Sequence, residues 1–256
     1  MEIDFSQFSI ERLIDRFFNI EIIREWAHLL PAALKNTLLI ASLSFVVGIA
    51  FGLLVALGSI SRRGWVRAVS RAYIEFWRGI PLLVAILFIH FSFPLIGIRF
   101  EPFVSGSLAL CLQSAAFTAE IFRAGIESVE RGQVEGARSL GLSYRDTMRV
   151  AVLPQAVRRV VPPLTNELVT LVKDSSLVAV IGVSELLRVA QIATGATFNA
   201  SMYTVVAAVY LSITLPLTYL ARRLEKRLVR RGSLSWLEAE RQRRAVLRHR
   251  AAVPAA

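Results

Sequence analysis

Six polar side chains interrupt one apolar stretch of this 256-residue chain: Asn166, Glu167, Lys173, Asp174, Ser175 and Ser176. Carboxylates, an amine and hydroxyls in such a place suit three kinds of chemistry. They can hold a zwitterion or gate its path, take up a proton or cation for ion-coupled transport, or serve hydrolysis within a membrane. The last requires a catalytic constellation around the carboxylates, and no nucleophile–base pair is evident. Glu167 and Asp174 are seven residues apart and share a helical face, and Asn166 and Lys173 repeat that spacing. A charge near the centre of a bilayer costs roughly 2.5–3.5 kcal/mol on insertion scales, so three ionisable groups on a lipid-facing surface are excluded. They face protein or water. Whether they contact a passing solute or form an ion-pair network that holds helices together is left open by the residues alone.

The preceding apolar stretch adds Gln113, Ser114, Thr118, Glu120 and Arg123. Glu120 and Arg123, three apart, can pair on one helix face, which favours a structural or gating role; Glu120 still ranks with the fourth-stretch residues as a candidate for the solute path. Arg78 reads as the boundary of an apolar stretch and His90 as a packed ring. Three His and one Cys lie scattered without ligand spacing, so no metal centre is expected, and the lone Cys111 excludes an intramolecular disulfide.

The elements that position these groups follow from composition. The chain is 55% hydrophobic and carries 30 Lys+Arg against 19 Asp+Glu. Its basic residues lie between apolar runs rather than in one patch, which argues for an integral membrane protein and against a nucleic-acid partner. Residues 1–30 offer no clean signal-peptide core. A crossing needs about 20 mostly apolar residues, and five stretches qualify: 36–60, 73–98, 104–125, 161–183 and 199–221. Basic residues alternate across them. Arg62, Arg63, Arg67 and Arg71 lie between the first two, Arg99 alone follows the second, and seven arginines from Arg123 to Arg159 follow the third. Arg188 alone follows the fourth, and eleven Lys+Arg follow Leu220. The positive-inside rule then places the N-terminus outside and the C-terminus in the cytoplasm. Residues 1–27 are expected to include an interfacial amphipathic helix on the outer leaflet, with Ile10, Leu13, Ile14, Phe17 and Phe18 opposite Glu11, Arg12, Asp15 and Arg16. Residues 28–225 form the membrane domain, and 226–256 a basic cytoplasmic tail, helical in part. Gly48 and Gly52 make a small-xxx-small pair that admits a close helix neighbour. Pro81, just after Gly79, is placed to kink the second crossing.

The long polar segment 131–154 has its own construction. Val134, Ala137 and Leu140 recur at helical spacing and end at Gly141, which permits a sharp change of direction. Ser143 and Asp146 then predict the capped start of a second short helix. Pro154 is expected to close this unit, and Pro162–Pro163 to break the chain again before the fourth crossing. Two short helices meeting at a glycine make a compact knob able to sit in a groove on a cytoplasmic partner.

The order Glu135-Gly136-Ala137, three residues, Gly141, nine residues, then Ala151-Val152-Leu153-Pro154 resembles the Glu-Ala-Ala loop of ABC importer permeases, with Gly136 for Ala and Ala151 for Ile. Residues 28–59, Arg78-Gly79-Ile80-Pro81-Leu82-Leu83, AAFTAEIFRAGIESVERGQ (115–133) and LPQAVRRVVPPLTNELVTLVKDSSLVAVIGVSEL (153–186) resemble the polar amino-acid branch of that family, over about residues 25–225. The resemblance implies an all-α membrane protein of type I importer architecture in a bacterial inner membrane. It implies a second permease subunit, identical or related, two cytoplasmic ABC ATPase subunits, and an extracytoplasmic solute-binding protein. Glu135, Gly136, Ala137, Leu140, Gly141, Leu153 and Pro154 would form the ATPase-coupling loop. The sequence has no G-x-x-x-x-G-K-[S/T] phosphate loop, so ATP and its magnesium belong to the partner ATPase, and the chain is expected to bind no cofactor and catalyse no reaction itself. The rival reading is an ion-coupled carrier using Asp174 and Glu167, against which stand five crossings without an inverted repeat.

Overall fold

A computed structural model describes residues 9–251, with side chains through residue 227. It is helical among the described residues. Three helices are long and apolar enough to cross a membrane, and two further pairs do so if each bent pair is counted as one crossing. The five expected crossings are therefore present by length and composition, but two of them are broken.

The central pair is α3 (Leu30–Ser59) and α6 (Pro102–Glu127). At 1.5 Å per residue α3 is about 45 Å long, ample for a bilayer. The two helices run in the same direction, as their register shows. The Cys111 thiol lies 3.8 Å from the Ser44 hydroxyl, Gly48 lies against Ser114, and Gly52 against Ala115 and Thr118. The glycine pair expected to admit a neighbour admits α6, whose facing residues are mostly small and buried. Thr118 Oγ1 donates to the Gly48 carbonyl at 2.6 Å, a polar clasp that needs close backbones. A Cβ on residue 52 would stand 2.7 Å from the Ala115 carbonyl, which is backbone and cannot rotate away. Gly52→Val is thus expected to cost about 1–3 kcal/mol by overpacking. Thermal unfolding of the detergent-solubilised protein should show a lowered midpoint; an unchanged midpoint contradicts this packing.

The second crossing departs from a single stretch over 73–98. It consists of α4 (Gly64–Gly79) and α5 (Leu82–Ser92), continued by a 3-10 turn to Ile96, and the two segments meet at 100°. Pro81 causes the break: it supplies no N–H, and it holds Ile80 extended, with ψ of 132°. The expected kink is a right-angle turn. Gln113 Nε2 donates to the carbonyls of Trp77 (3.1 Å) and Ile80 (2.8 Å), so α6 satisfies the acceptors that the turn leaves free.

The fourth crossing begins earlier than residue 161. The chain is continuously helical from Tyr144 to Asp174: α8 (Tyr144–Thr147), a π-helical turn (Met148–Val152), and α9 (Leu153–Asp174). Neither Pro154 nor Pro162–Pro163 ends a helix, contrary to the sequence expectation. Pro154 sits in the first turn of α9, where the wide π turn before it relieves the clash a proline imposes on the preceding turn. Pro162 and Pro163 lie inside α9, where flanking hydrogen bonds and packing carry the helix through. A 3-10 segment (Ser175–Ile181) and Gly182 at φ 88° follow, then α10 (Leu186–Thr197), bent by 45°. The fifth crossing is α11 (Ser201–Ala251), which runs on as helix through the basic tail with no break at residue 226.

The two ends of the bundle differ. The starts of α3, α10 and α11 meet around Ala33, Leu186 and Met202, where α2 (Ile20–Trp26) and α1 (Ile10–Phe18) also lie. The finish of α6 meets the start of α9, where Gly125 abuts Val160. Because α3 and α6 are parallel, the N-terminal helices and the 131–154 segment occupy opposite ends.

Candidate functional site

The 100° turn leaves a cavity of about 400 Å³ between Arg78–Leu82, α6 and α9. Its depth follows from register: Ser114 lines it and faces Gly48, near the middle of α3. Arg78 lies on one side; Glu167, Thr170 and Asp174 project from α9, and Gln113, Ser114 and Phe117 from α6. The volume falls in the range of small-molecule sites, roughly 300–1,000 Å³. A guanidinium and two carboxylates lining one space can bind a solute that carries both signs of charge.

A second cavity of about 320 Å³ adjoins it, lined by Arg71, Ile74, Glu75, Arg78, Glu120 and Arg123. The expected Glu120–Arg123 pair is present and two-pronged, at 3.1 and 2.5 Å, and Arg123 also reaches Glu127 at 2.6 Å. Arg78 borders both cavities. Its guanidinium is 3.8 Å from Glu120 and lies over the Phe117 ring at 5.6 Å, a cation–π contact. These contacts hold the charge of Arg78 at the wall between the two spaces.

Among the candidate path residues, the first cavity brings together Glu167 and Asp174. Glu120 lines the second cavity and is occupied by arginines. Asn166 and Lys173 are exposed on another face of α9. Ser175 is buried and donates to the Val172 carbonyl at 2.8 Å; Ser176 is half-buried and lines neither cavity. Among the described residues no ion pair within 4 Å joins Glu167, Lys173 or Asp174 to another group. Arg78, Thr170 and Phe117 are lining residues that sequence reasoning passed over. Arg78 was assigned to a boundary because a straight helix over 73–98 would put it there, and Arg-Gly-Ile-Pro was the signal that the helix turns instead. His90 packs as expected, 2.9 Å from the Ser105 hydroxyl.

The second candidate surface is the knob at the far end. Helix α7 (Arg131–Ser139) stops in a Schellman motif: Gly141 N–H donates to the Arg138 carbonyl at 2.9 Å and Leu142 N–H to that of Ala137 at 3.4 Å, with Gly141 at φ 83°. Ser143 caps α8, accepting from Asp146 N–H at 3.2 Å and donating to Asp146 Oδ2 at 2.5 Å, as the sequence predicted. The apolar stripe of α7 divides. Val134 packs on a small core of Val129, Val152 and Ala156, whereas Leu140 is 84% exposed, an apolar side chain presented outward. The Arg159 guanidinium donates to the Ser128 carbonyl and ties the start of α9 to the end of α6. Glu135 and Gly136 lie on the exposed surface, Ala137 is half-buried, and Leu153 and Pro154 open α9, also exposed. Nothing lies within 4 Å of a Cβ at residue 136, so the alanine of the usual motif would fit.

A bundle of intact and broken crossings, with a charged cavity at mid-depth and a helical knob at one end, defines a membrane permease. The family model described as binding-protein-dependent transport system inner membrane component matches residues 48–230, and the chain belongs to that family. It is the permease subunit of an ABC importer. It is 45% identical over 178 residues to the probable amino-acid ABC transporter permease protein YckA of Bacillus subtilis (strain 168), covering 69% of this chain and 79% of that one. It is 37% identical over 214 residues to the glutamine transport system permease protein GlnP of Escherichia coli (strain K12), covering 80% and 97%. Among solved structures it is similar to a chain from an amino acid ABC transporter crystallised with histidines, with a TM-score of 0.78 and 36% identity, covering 82% and 98%. It shares the fold of a chain of the MetNI methionine ABC transporter in an inward-facing form, at a TM-score of 0.65 and 22% identity.

Proposed function

We propose that this subunit conducts a polar amino acid across a bacterial inner membrane, from an extracytoplasmic binding protein to the cytoplasm. The observation that carries this reading is the mid-depth cavity lined by Arg78, Glu167 and Asp174. An α-carboxylate suits the guanidinium and an α-ammonium suits the carboxylates. The fourth crossing holds both signs of charge, but Lys173 lies outside the cavity, so the lining has two carboxylates against one guanidinium. That balance favours zwitterionic amino acids with neutral or cationic side chains over acidic ones, and the relatives named for amino-acid and glutamine transport agree with it.

The knob around Gly141, with Leu140 exposed at its tip, docks a cytoplasmic ATPase subunit that binds ATP and magnesium. A second permease subunit, identical or related, completes the path. ATP binding closes the ATPase pair, the two knobs approach each other, and α9 transmits the movement to the cavity as one continuous lever. Vesicles containing the full assembly test this: uptake of labelled amino acid should require ATP at the knob side and binding protein at the other. Uptake driven by a cation gradient without the ATPase would establish the ion-coupled carrier instead.

A further inference from the structure

Helix α1 has no part in the transport path, and every one of its residues is exposed. Ile10, Leu13, Ile14 and Phe17 form one apolar face, and Glu11, Arg12, Asp15 and Arg16 lie away from it. The helix is nonetheless held firmly, and by its polar end. Its last carbonyls, which have no partner within the helix, are taken by the turn that opens α11. Asn199 Nδ2 donates to the Asp15 carbonyl at 2.8 Å and Ala200 N–H to the Arg16 carbonyl at 2.9 Å. In return Asn19 N–H donates to Ser201 Oγ at 2.8 Å, and Asn199 Oδ1 accepts from Ser201 N–H and Oγ at 2.9 and 2.6 Å. Asn199 and Ser201 are buried. The tie therefore uses backbone and amide groups and leaves the apolar face uncovered.

Two further observations identify the cover. The tie is made at the first residue of a crossing helix, so α1 lies at the level where the bilayer surface meets α11. In the same turn Phe198 holds a left-handed backbone, φ 53°, which a bulky residue adopts only at a cost, and its ring is 86% exposed. Phenylalanine is among the residues that interfacial segments bury at the boundary between headgroups and acyl chains. α3 and α11 also carry exposed apolar side chains, and the two acids and two arginines of α1 cancel, which suits zwitterionic headgroups.

We propose that α1 and Phe198 form an interfacial lipid anchor, and that the Asn199–Ser201 cluster ties this anchor to the first turn of α11. The anchor fixes the depth of α11 on the face opposite the ATPase knob while α9 moves. The test uses the full chain assembled with its ATPase in phosphatidylcholine vesicles, with Cys111→Ala and an environment-sensitive fluorophore on Ile14→Cys or Arg12→Cys. Lipids brominated on their acyl chains should quench the probe at 14 several-fold more than the probe at 12, with or without binding protein. Equal quenching of both probes by aqueous iodide alone overturns the anchor. Shielding of the probe at 14 only when binding protein is added also overturns it and assigns the face to that protein. In the Asn199→Ala variant the probe at 14 should remain lipid-quenched, while spin-label distances between Ile14→Cys and Tyr203→Cys broaden. An unchanged distance distribution overturns the tie.

Discussion

Replacing Gly141 with valine is expected to cut ATP-driven uptake sharply while the protein still inserts and spans the membrane. The glycine holds φ 83° between α7 and α8 and closes the Schellman motif that ends α7. A β-branched residue there costs about 1–3 kcal/mol, and the chain escapes that strain by abandoning the turn. Under the proposed docking, Leu140 and the exposed face of α7 would then no longer meet the ATPase in register with α9. Uptake in vesicles should fall by roughly tenfold or more, since about 1.4 kcal/mol already equals a factor of ten, and the ATPase should no longer copurify with the permease or should hydrolyse ATP without transport. Two substitutions set the scale. Gly141→Asn should retain most activity, because asparagine tolerates the left-handed region, and Gly136→Ala should be near neutral, because its added methyl meets open space. Normal transport by Gly141→Val would refute docking through this knob.

Glu167→Gln combined with Asp174→Asn should abolish uptake without preventing assembly. The two side chains lie two turns apart on one face of α9, about 10 Å along the axis, and line the same cavity as Arg78. The amide variants keep size and hydrogen-bonding shape and remove only charge. A desolvated charge contact removed on one side costs about 2–5 kcal/mol, which predicts a loss of tens- to thousands-fold in uptake at limiting substrate. Lys173→Gln should lower uptake less than either carboxylate change, because Lys173 lies outside the cavity and its replacement removes no charge from the lining. Equal effects of all three changes would mean that charge on α9 matters for subunit packing rather than for the solute.

Much of this architecture was legible in the sequence because membranes impose simple rules. Apolar length located α3, α6 and α11, and the Gly-x-Ser-x-x-Asp pattern of the knob predicted a left-handed turn followed by a capped helix. What escaped was helix continuity at prolines. Pro81 turns its helix through a right angle, whereas Pro154, Pro162 and Pro163 are absorbed, and the four residues look alike in one dimension. The difference is tertiary. At Pro81 the Gln113 amide waits to receive the freed carbonyls, and before Pro154 a π turn widens the helix. The cavity was hidden for the same reason. Glu167 and Asp174 could be paired on a face by spacing, but Arg78 joins them only because α4 turns away from α5, and Lys173 leaves them only because of the rotation of α9.

Photo-crosslinking tests most directly whether the solute passes through this cavity. A labelled, diazirine-bearing amino acid accepted by the binding protein would be presented to the full assembly in vesicles with ATP hydrolysis blocked, then irradiated and mapped by mass spectrometry. The geometry predicts adducts on Phe117, Thr170 and Asp174, suppressed by excess unlabelled substrate and lost in the Glu167→Gln, Asp174→Asn double variant. Adducts confined to the exposed face around Asn166 and Lys173, and unaffected by that variant, would contradict it.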